Sequence, residues 1–167
     1  MTNGIYVIDA SSLIRIRPED YPHDIFVTMW SNMENLVKEG RLISSILVFD
    51  ELMRKNDEIY RWAKENKSMF REITPQQAKW VKQILSTNNF SALVDAKAQG
   101  GQADPFIIAV ALEKESQQTL ISFDKEKTVV TEEELRGNKI TIPFVCRHFG
   151  IKCINIFDLF RREGWRW

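Results

Sequence analysis

The sequence has 167 residues, 44% of them hydrophobic and 28% charged, and its 23 basic residues balance 23 acidic ones. This length predicts one domain over residues 1–167 that can bury a core without disulfides, and the composition excludes general disorder. No apolar run approaches the ~20 residues of a membrane span and no signal-peptide pattern opens the chain, so we expect a cytoplasmic protein without membrane contact. Zero net charge argues against a protein that coats nucleic acid, but allows a local nucleic-acid site.

Strands and helices alternate along the first half of the sequence. Ile5–Ile8 is a continuous apolar run that ends in Asp9, which is typical of a strand buried on both faces of a parallel sheet. Apolar residues then recur at helical spacing from Ile25 to Val37, and Gly40 is a natural helix stop. A weak strand is predicted at 42–44, a helix over 45–55, and a further helix after Asn56.

The next helix has a clear start at Thr74. Thr74 is a good N-cap, Pro75 suits the first helical position, and Gln77 would close a capping box. Its predicted buried face consists of Ala78, Val81 and Leu85. Asp104 opens another helix, which is apolar almost all round to position 112 and should therefore lie in the core.

Short elements follow to the end of the chain. Strands are predicted at 119–123, 128–131 and 152–154, a short helix begins at Pro143, and Asn155 can cap a last helix that runs through Phe160. Cys146 and Cys153 lack the surroundings of a zinc site and should be reduced core residues. Strands that alternate with helices indicate an α/β fold with a central, mainly parallel sheet and helices on both sides.

Acidic residues stand at the ends of several of these apolar elements. Asp9 directly follows the first strand, and open α/β sheets bind ligands at the carboxyl ends of their strands. Asp9 could equally cap the following helix, together with Ser11, and capping alone could explain Asp104. Glu51 could simply face solvent on an amphipathic helix, and the neighbouring Asp50 weakens its assignment.

The second half of the chain repeats one short pattern, in which an apolar run ends in a hydroxyl residue followed two positions later by an acid. It occurs at Ser122 with Asp124 and again at Thr131 with Glu133. Several acids gathered at one sheet edge would repel one another unless a divalent cation neutralised them. A ligand set made only of oxygen atoms favours Mg²⁺ or Mn²⁺ over zinc.

The order of these motifs resembles the PIN domain. The match rests on Ile-Asp-Ala-Ser at 8–11, Glu-Leu at 51–52, Ala-Asp-Pro-Phe-Ile-Ile-Ala at 103–109 and the hydroxyl-x-acid pattern after a strand. More narrowly, the chain resembles the VapC-like subfamily of toxin–antitoxin systems. That closer match rests on the strings at 56–58, 62–64, 129–133, 142–146 and 153–160. The resemblance covers nearly the whole chain.

The resemblance implies a single PIN-like domain and a ribonuclease that depends on Mg²⁺ or Mn²⁺. It also implies RNA as substrate, an antitoxin protein as partner and a homodimer. Carried over residue by residue, the catalytic metal ligands would be Asp9, Glu51 rather than Asp50, Asp104 and Glu133. The supporting hydroxyl residues would be Ser11 and Thr131.

The fourth acid is the point at which the sequence departs from the family pattern. Asp124 has the spacing from Asp104 that is typical of PIN domains in general, whereas the string around Glu133 matches the narrower subfamily. An insertion around 119–127 would reconcile the two. We favour Glu133 and keep Asp124 as its rival.

Other features of the sequence leave alternatives open. A basic and aromatic tail could contact RNA, or could be a helix end packed on the core; it comprises Arg161, Arg162, Trp165, Arg166 and Trp167. His23 and His148 are more typical of structural residues than of a general base. The alternative to an enzyme is a catalytically silent PIN-like module that binds a partner protein. A Rossmann-type enzyme is disfavoured because no glycine-rich loop follows the first strand.

Overall fold

A sheet of five parallel strands runs through the computed structural model, which describes residues 3–94, 102–114 and 125–167. The strands are β1 (Ile5–Ile8), β2 (Leu42–Ser45), β3 (Phe70–Arg71), β4 (Lys127–Val130) and β5 (Lys152–Ile154). Their order in the sheet is β3-β2-β1-β4-β5, with β1 at the centre. All four neighbouring pairs are parallel. The prediction of an α/β fold with a parallel sheet is therefore confirmed.

Eight α-helices lie within the described ranges and connect or flank the strands. They are α1 (Ala10–Arg15), α2 (Val27–Lys38), α3 (Ile46–Lys55), α4 (Glu58–Glu65), α5 (Pro75–Ser86), α6 (Asp104–Leu112), α7 (Ile142–His148) and α8 (Ile156–Arg162). In that part of the chain, none of these helices is both long enough and apolar enough to cross a lipid bilayer.

Most of these helices begin at a polar residue whose side chain accepts a hydrogen bond from the first turn. The caps are Asp9 for α1, Ser45 for α3, Asp57 for α4, Thr74 for α5 and Asn155 for α8. Each such cap stabilises its helix by about 1 kcal/mol, because the first amide groups of a helix otherwise lack partners. These caps explain why most helix starts could be located from the sequence.

The core forms around β1 and α6. All four residues of β1 are buried, and since successive side chains of a strand point to opposite faces, both faces of the sheet are covered. Helix α6 packs against β1, β2 and β4. Its apolar residues on every side explain why it can lie in that interior position.

Two predictions about these elements are wrong, and one strand was missed. The buried residues of α5 are Gln77 and Ile84, whereas Ala78 is exposed and Val81 and Leu85 are half-buried. The N-cap of α6 is Ala103 and not Asp104. Strand β3 was not anticipated, and the strand predicted at 119–123 lies outside the described residues.

Candidate active site

The parallel register places Asp9 and Thr131 side by side at the carboxyl edge of the sheet. Ile8 pairs with Val130 in the last register position of β1 and β4. The ladder continues for one more step, because the Asp9 N–H donates to the Val130 carbonyl at 3.0 Å. Asp9 and Thr131 are the next residues on their respective strands, so their side chains meet where the sheet ends.

Asp9 is held by hydroxyl groups on both carboxylate oxygens. Ser11 Oγ donates to Oδ1 at 2.7 Å and Thr131 Oγ1 donates to Oδ2 at 2.7 Å. The Ser12 N–H also donates to Oδ1 at 3.1 Å, so Asp9 caps α1 as well. The hydrogen bond from Ser11 to Asp9 that the resemblance implied is present. Asp9 also caps α1, which was the alternative explanation for this residue.

Backbone amides fix the direction of these two hydroxyl groups. The Glu132 N–H donates to Ser11 Oγ at 3.0 Å, and the Glu133 N–H donates to Thr131 Oγ1 at 3.1 Å. Since each hydroxyl oxygen already accepts a bond from an amide, its own hydrogen is left to point at Asp9. This arrangement fixes the Asp9 side chain in one orientation.

Four of the predicted acids line a single cavity of about 620 Å³ beside this edge. They are Asp9, Glu51 from α3, Asp104 from the start of α6, and Glu133 from the segment after β4. Apolar side chains, among them Val48 and Ile107, form much of the remaining wall. We call this space the carboxylate cavity.

The pKa values of three of these acids are raised. Burial, helped by the charges of the other three carboxylates, raises the pKa of Asp104 to about 8. Burial and the charge of Asp9 raise the pKa of Glu51 to about 7. Burial raises the pKa of Asp9 to about 6, even though its three hydrogen bonds act in the opposite direction. The repulsion among these acids shows that they share one electrostatic environment.

The alternative roles considered for Asp104 and Glu51 do not describe their positions. Asp104 is not a helix cap, and Glu51 is not a fully solvent-facing residue. Ala103 already has helical backbone angles, so Asp104 lies inside the first turn of α6 and its carboxylate does not cap the helix. Glu51 Oε1 is buried, and no residue in the described ranges hydrogen-bonds to it. A buried carboxylate oxygen without a partner is costly, which points to a ligand as its missing partner.

The adjacent acids Glu132 and Glu133 have different surroundings. Glu132 Oε1 accepts hydrogen bonds from Ser12 Oγ and from the N–H of Ile156, each at 3.0 Å. It therefore ties α1 to the start of α8. Glu133 lines the carboxylate cavity and its Oε2 accepts from the N–H of Ile142, the first residue of α7, at 2.8 Å.

Sequence reasoning missed two cations that line the same cavity, Arg54 and Lys55. Their positive charges lower the pKa of Glu51, against the effect of its burial. A signal for them exists in the sequence, since they follow Glu51 by three and four positions and therefore share its face of the helix. The cavity thus combines carboxylates with basic groups at its wall.

The donor chemistry of the cavity suits a hard divalent cation. Its acids offer only oxygen atoms, one of which is buried without a partner, and Mg²⁺ and Mn²⁺ prefer such ligands. Within the described ranges, however, no group of three or more His, Cys, Asp or Glu side chains is arranged to hold a metal ion. The metal site therefore stays a prediction. The oxygen atoms of these acids are suitable ligands, but the acids are not close enough together in this structure to hold a cation.

None of the remaining candidates among the described residues lines this cavity. Asp124 lies outside the described residues, so its rivalry with Glu133 stays open. In the C-terminal tail, the Trp165 ring stacks on Phe160 with centroids 5.4 Å apart, whereas Trp167 is 56% exposed. His23 and His148 are exposed and pack against aromatic rings. Cys146 and Cys153 are free cysteines.

The protein is of the α/β class, with a parallel sheet and a cavity lined by four acids beside the carboxyl edge of that sheet. The chain belongs to the family described as a domain of unknown function, DUF4411, whose model matches residues 6–167. No curated protein and no solved structure matches the chain. The activity must therefore be inferred from the cavity itself.

Proposed function

We propose that this protein is a PIN-like endoribonuclease that requires Mg²⁺ or Mn²⁺ and hydrolyses RNA phosphodiester bonds. The observation that carries the proposal is the carboxylate cavity, in which Asp9, Glu51, Asp104 and Glu133 face one space. The raised pKa values of the first three support it, because acids with perturbed titration that gather in a cleft are typical of functional sites. The parallel sheet is compatible with a PIN-like fold.

In this proposal the four carboxylates of the cavity hold the cation. When bound, the cation supplies a water of lowered pKa and stabilises negative charge on the leaving oxygen. Ser11 and Thr131 keep Asp9 in one orientation, so that its oxygens face the cavity without rearrangement. Arg54 and Lys55 offer positive charge to the approaching RNA phosphate.

The biological setting is part of the same proposal. The VapC-like resemblance supports a toxin of a type II toxin–antitoxin system, which acts as a cytoplasmic homodimer and is inhibited by an antitoxin protein. The alternative is a PIN-like module that binds a partner protein without cutting RNA. Metal binding and cleavage together separate the two.

The test measures Mn²⁺ binding by titration calorimetry and cleavage of a fluorescently labelled RNA in the same buffer. We expect Asp104→Asn to weaken Mn²⁺ binding by at least ~10-fold and to reduce cleavage further, because the cation loses a ligand. Asp50→Asn is the matched control, since Asp50 lies on α3 beside Glu51 but does not line the cavity. It should bind Mn²⁺ and cleave RNA like the wild type.

The outcomes separate the hypotheses. Equal Mn²⁺ affinity in Asp104→Asn and the wild type would contradict the metal site. Mn²⁺ binding that Asp104→Asn abolishes, without any RNA cleavage by the wild type, would favour the silent module. Comparison of Glu133→Gln with Asp124→Asn then decides which acid is the fourth ligand.

A further inference from the structure

A second cavity, of about 550 Å³, lies beside α7 and away from the carboxylate cavity. Its polar lining consists of the amides of Asn88, Asn89 and Asn138 together with Arg147 and His148. All of these polar side chains are exposed, so they are accessible to a ligand from solvent. None of the described lining residues is acidic, so the cavity suits an anionic or neutral polar ligand.

Flat rings form another part of the wall of this cavity. The buried Phe90 ring meets the His148 ring edge to face, with centroids 5.1 Å apart at 84°. It meets the Phe144 ring in the same way at 6.2 Å and 89°. The guanidinium carbon of Arg147 lies 5.4 Å from the centre of the Phe144 ring. Since Phe90 is buried, the rings that a ligand can contact are those of Phe144 and His148, beside the exposed amides.

The second cavity is connected to the carboxylate cavity through α7 and the segment before it. Glu133 stands near the start of that segment, whereas Asn138 and Ile140 near its end line the second cavity. Glu133 also accepts a hydrogen bond from Ile142, the first residue of α7. The helix spans ~10 Å from there to His148, so a short stretch of single-stranded RNA can reach from one cavity to the other.

These surroundings match the chemistry of a nucleobase. Proteins recognise single-stranded RNA by stacking splayed bases on aromatic rings, histidines or guanidinium planes and by hydrogen bonds to the base edges. An amide side chain carries both a donor and an acceptor, so it can pair with such an edge. An arginine beside the base can also contact the neighbouring phosphate.

We propose that this second cavity, which we call the base cavity, binds one unstacked nucleobase of single-stranded RNA a few nucleotides from the phosphate at the carboxylate cavity. This inference rests on the proposed function, because it names how the same enzyme holds its substrate. It makes the protein selective for single-stranded RNA, since a base within a duplex cannot enter the cavity.

The experiment measures RNA binding without cleavage. A fluorescein-labelled single-stranded 12-mer RNA of mixed sequence is titrated with the protein in EDTA, and fluorescence anisotropy gives the Kd. We expect Asn138→Ala to raise the Kd by at least ~5-fold, because it removes a hydrogen bond to the base edge, and Arg147→Ala by more, because it removes a charged contact to the neighbouring phosphate. The same RNA as a blunt duplex should bind at least ~5-fold more weakly than the single strand.

Matched controls separate base contacts from general electrostatics. Asn35→Ala removes an exposed amide on α2, and Arg61→Ala removes an exposed cation on α4. Both should leave the Kd within ~2-fold of the wild type. Thermal unfolding of each variant shows that the fold is intact; if Arg147→Ala unfolds, Asn138→Ala still decides the question.

Several results would overturn the base cavity. One is a Kd for the 12-mer that Asn138→Ala leaves unchanged. Another is equal affinity for the duplex and the single strand. A third is tight binding of free AMP, CMP, GMP or UMP by the wild-type protein without binding of the 12-mer. The last result would indicate a mononucleotide site. If Asn138→Ala weakens RNA binding while the wild type cuts no RNA, the base cavity stands and the nuclease proposal fails.

Discussion

At the scale of single residues, the carboxyl groups of Asp9, Glu51 and Asp104 make stability depend on pH. Their pKa values in the folded protein are raised to about 6, 7 and 8, whereas unfolded chains ionise near pH 4. The folded state therefore favours the protonated forms. Their contribution to stability is complete below about pH 4 and is lost as the pH rises through about 6 to 8.

In EDTA, we expect the free energy of unfolding to fall between pH 5 and pH 8. Asp104→Asn should reduce this slope and should be about 1–2 kcal/mol more stable than the wild type at pH 8, because it removes a buried charge. Urea unfolding at pH 5, 6.5 and 8 measures the effect, and Asp50→Asn should follow the wild type at every pH. A wild-type stability that does not change with pH would contradict the raised pKa values.

The residue scale also shows where sequence reasoning succeeds and where it ends. Asp9 can be placed at the sheet edge from the sequence because it directly follows a buried strand. The roles of Ser11 and Thr131 are expected from the resemblance to the PIN domain, and both residues hydrogen-bond to Asp9. The different surroundings of Glu132 and Glu133 could not be read from the sequence. The path of the backbone after β4 decides which of these two adjacent acids faces the cavity. This segment is neither helix nor strand, so hydrophobic periodicity does not predict its path.

At the scale of elements, Glu132 and Glu133 each secure the start of a helix. Glu132 holds α1 and α8 through two hydrogen bonds, and Glu133 holds α7 through one. We expect Glu132→Ala to destabilise the protein by about 2–3 kcal/mol, because hydrogen bonds to a charged group are strong and their donors lose a partner. Glu133→Ala should cost about 1 kcal/mol, since that side chain is exposed.

Urea denaturation of the two variants measures this difference, and Mn²⁺ titration gives an independent comparison. We expect Glu133→Ala to weaken Mn²⁺ binding more than Glu132→Ala does. A larger loss of stability in Glu133→Ala than in Glu132→Ala would contradict the assignment of Glu132 as the structural acid.

Helix α5 shows why hydrophobic periodicity can select the wrong face. Gln77 is fully buried because its amide donates to Glu113 Oε2 at 2.8 Å and to the Glu72 carbonyl at 3.2 Å. The same bonds keep Gln77 from closing the predicted capping box. A polar residue buried by such partners is invisible to a pattern that counts only apolar residues. Strand β3, with two residues, is too short for any pattern.

At the scale of the whole molecule, a buried ion pair joins the C-terminal segment to the central sheet. Arg41 Nη2 lies 2.5 Å from Glu163 Oε1 and Arg41 Nη1 lies 3.1 Å from Oε2, while the Tyr6 hydroxyl donates to Oε1 at 2.7 Å. The side chains of Arg41 and Glu163 are only 12% and 4% exposed. Residues from both ends of the chain are thereby held together.

We expect Glu163→Ala to lower the free energy of unfolding by about 3 kcal/mol, because Arg41 loses its buried carboxylate partner, while its ion pair with the exposed Glu39 is longer, at 3.4 Å. Arg161→Ala is the control, since it breaks an ion pair with Asp158 whose side chains are 74% and 44% exposed. Such exposed pairs contribute less than about 1 kcal/mol. Equal effects of the two substitutions in urea unfolding would contradict this role of Glu163.

The fold class could be predicted from the sequence because apolar runs and helix starts alternate along the chain in the order that a parallel sheet requires. That topology brings Asp9 after β1 and Glu133 after β4 to the same edge of the sheet, where Glu51 of α3 and Asp104 of α6 line the same cavity. The buried contacts of Gln77 and Glu163 could not be predicted, since they join residues far apart in the sequence. The zero net charge is an average over different sites: one cavity is lined by four acids, whereas the other is lined by Arg147 and His148 and by no described acid.

The position of β1 in the sheet also has a consequence for synthesis on the ribosome. Its partner β4 lies about 120 residues later in the chain, so the central strand pair cannot form until the chain has been translated through β4. Contacts between such distant residues also slow folding. Asp9 and Glu51 emerge early, but Glu133 joins them only after β4 has been made. A growing chain that has not yet reached β4 therefore cannot carry a complete carboxylate cavity, and any activity of that cavity begins only after Glu133 has been made.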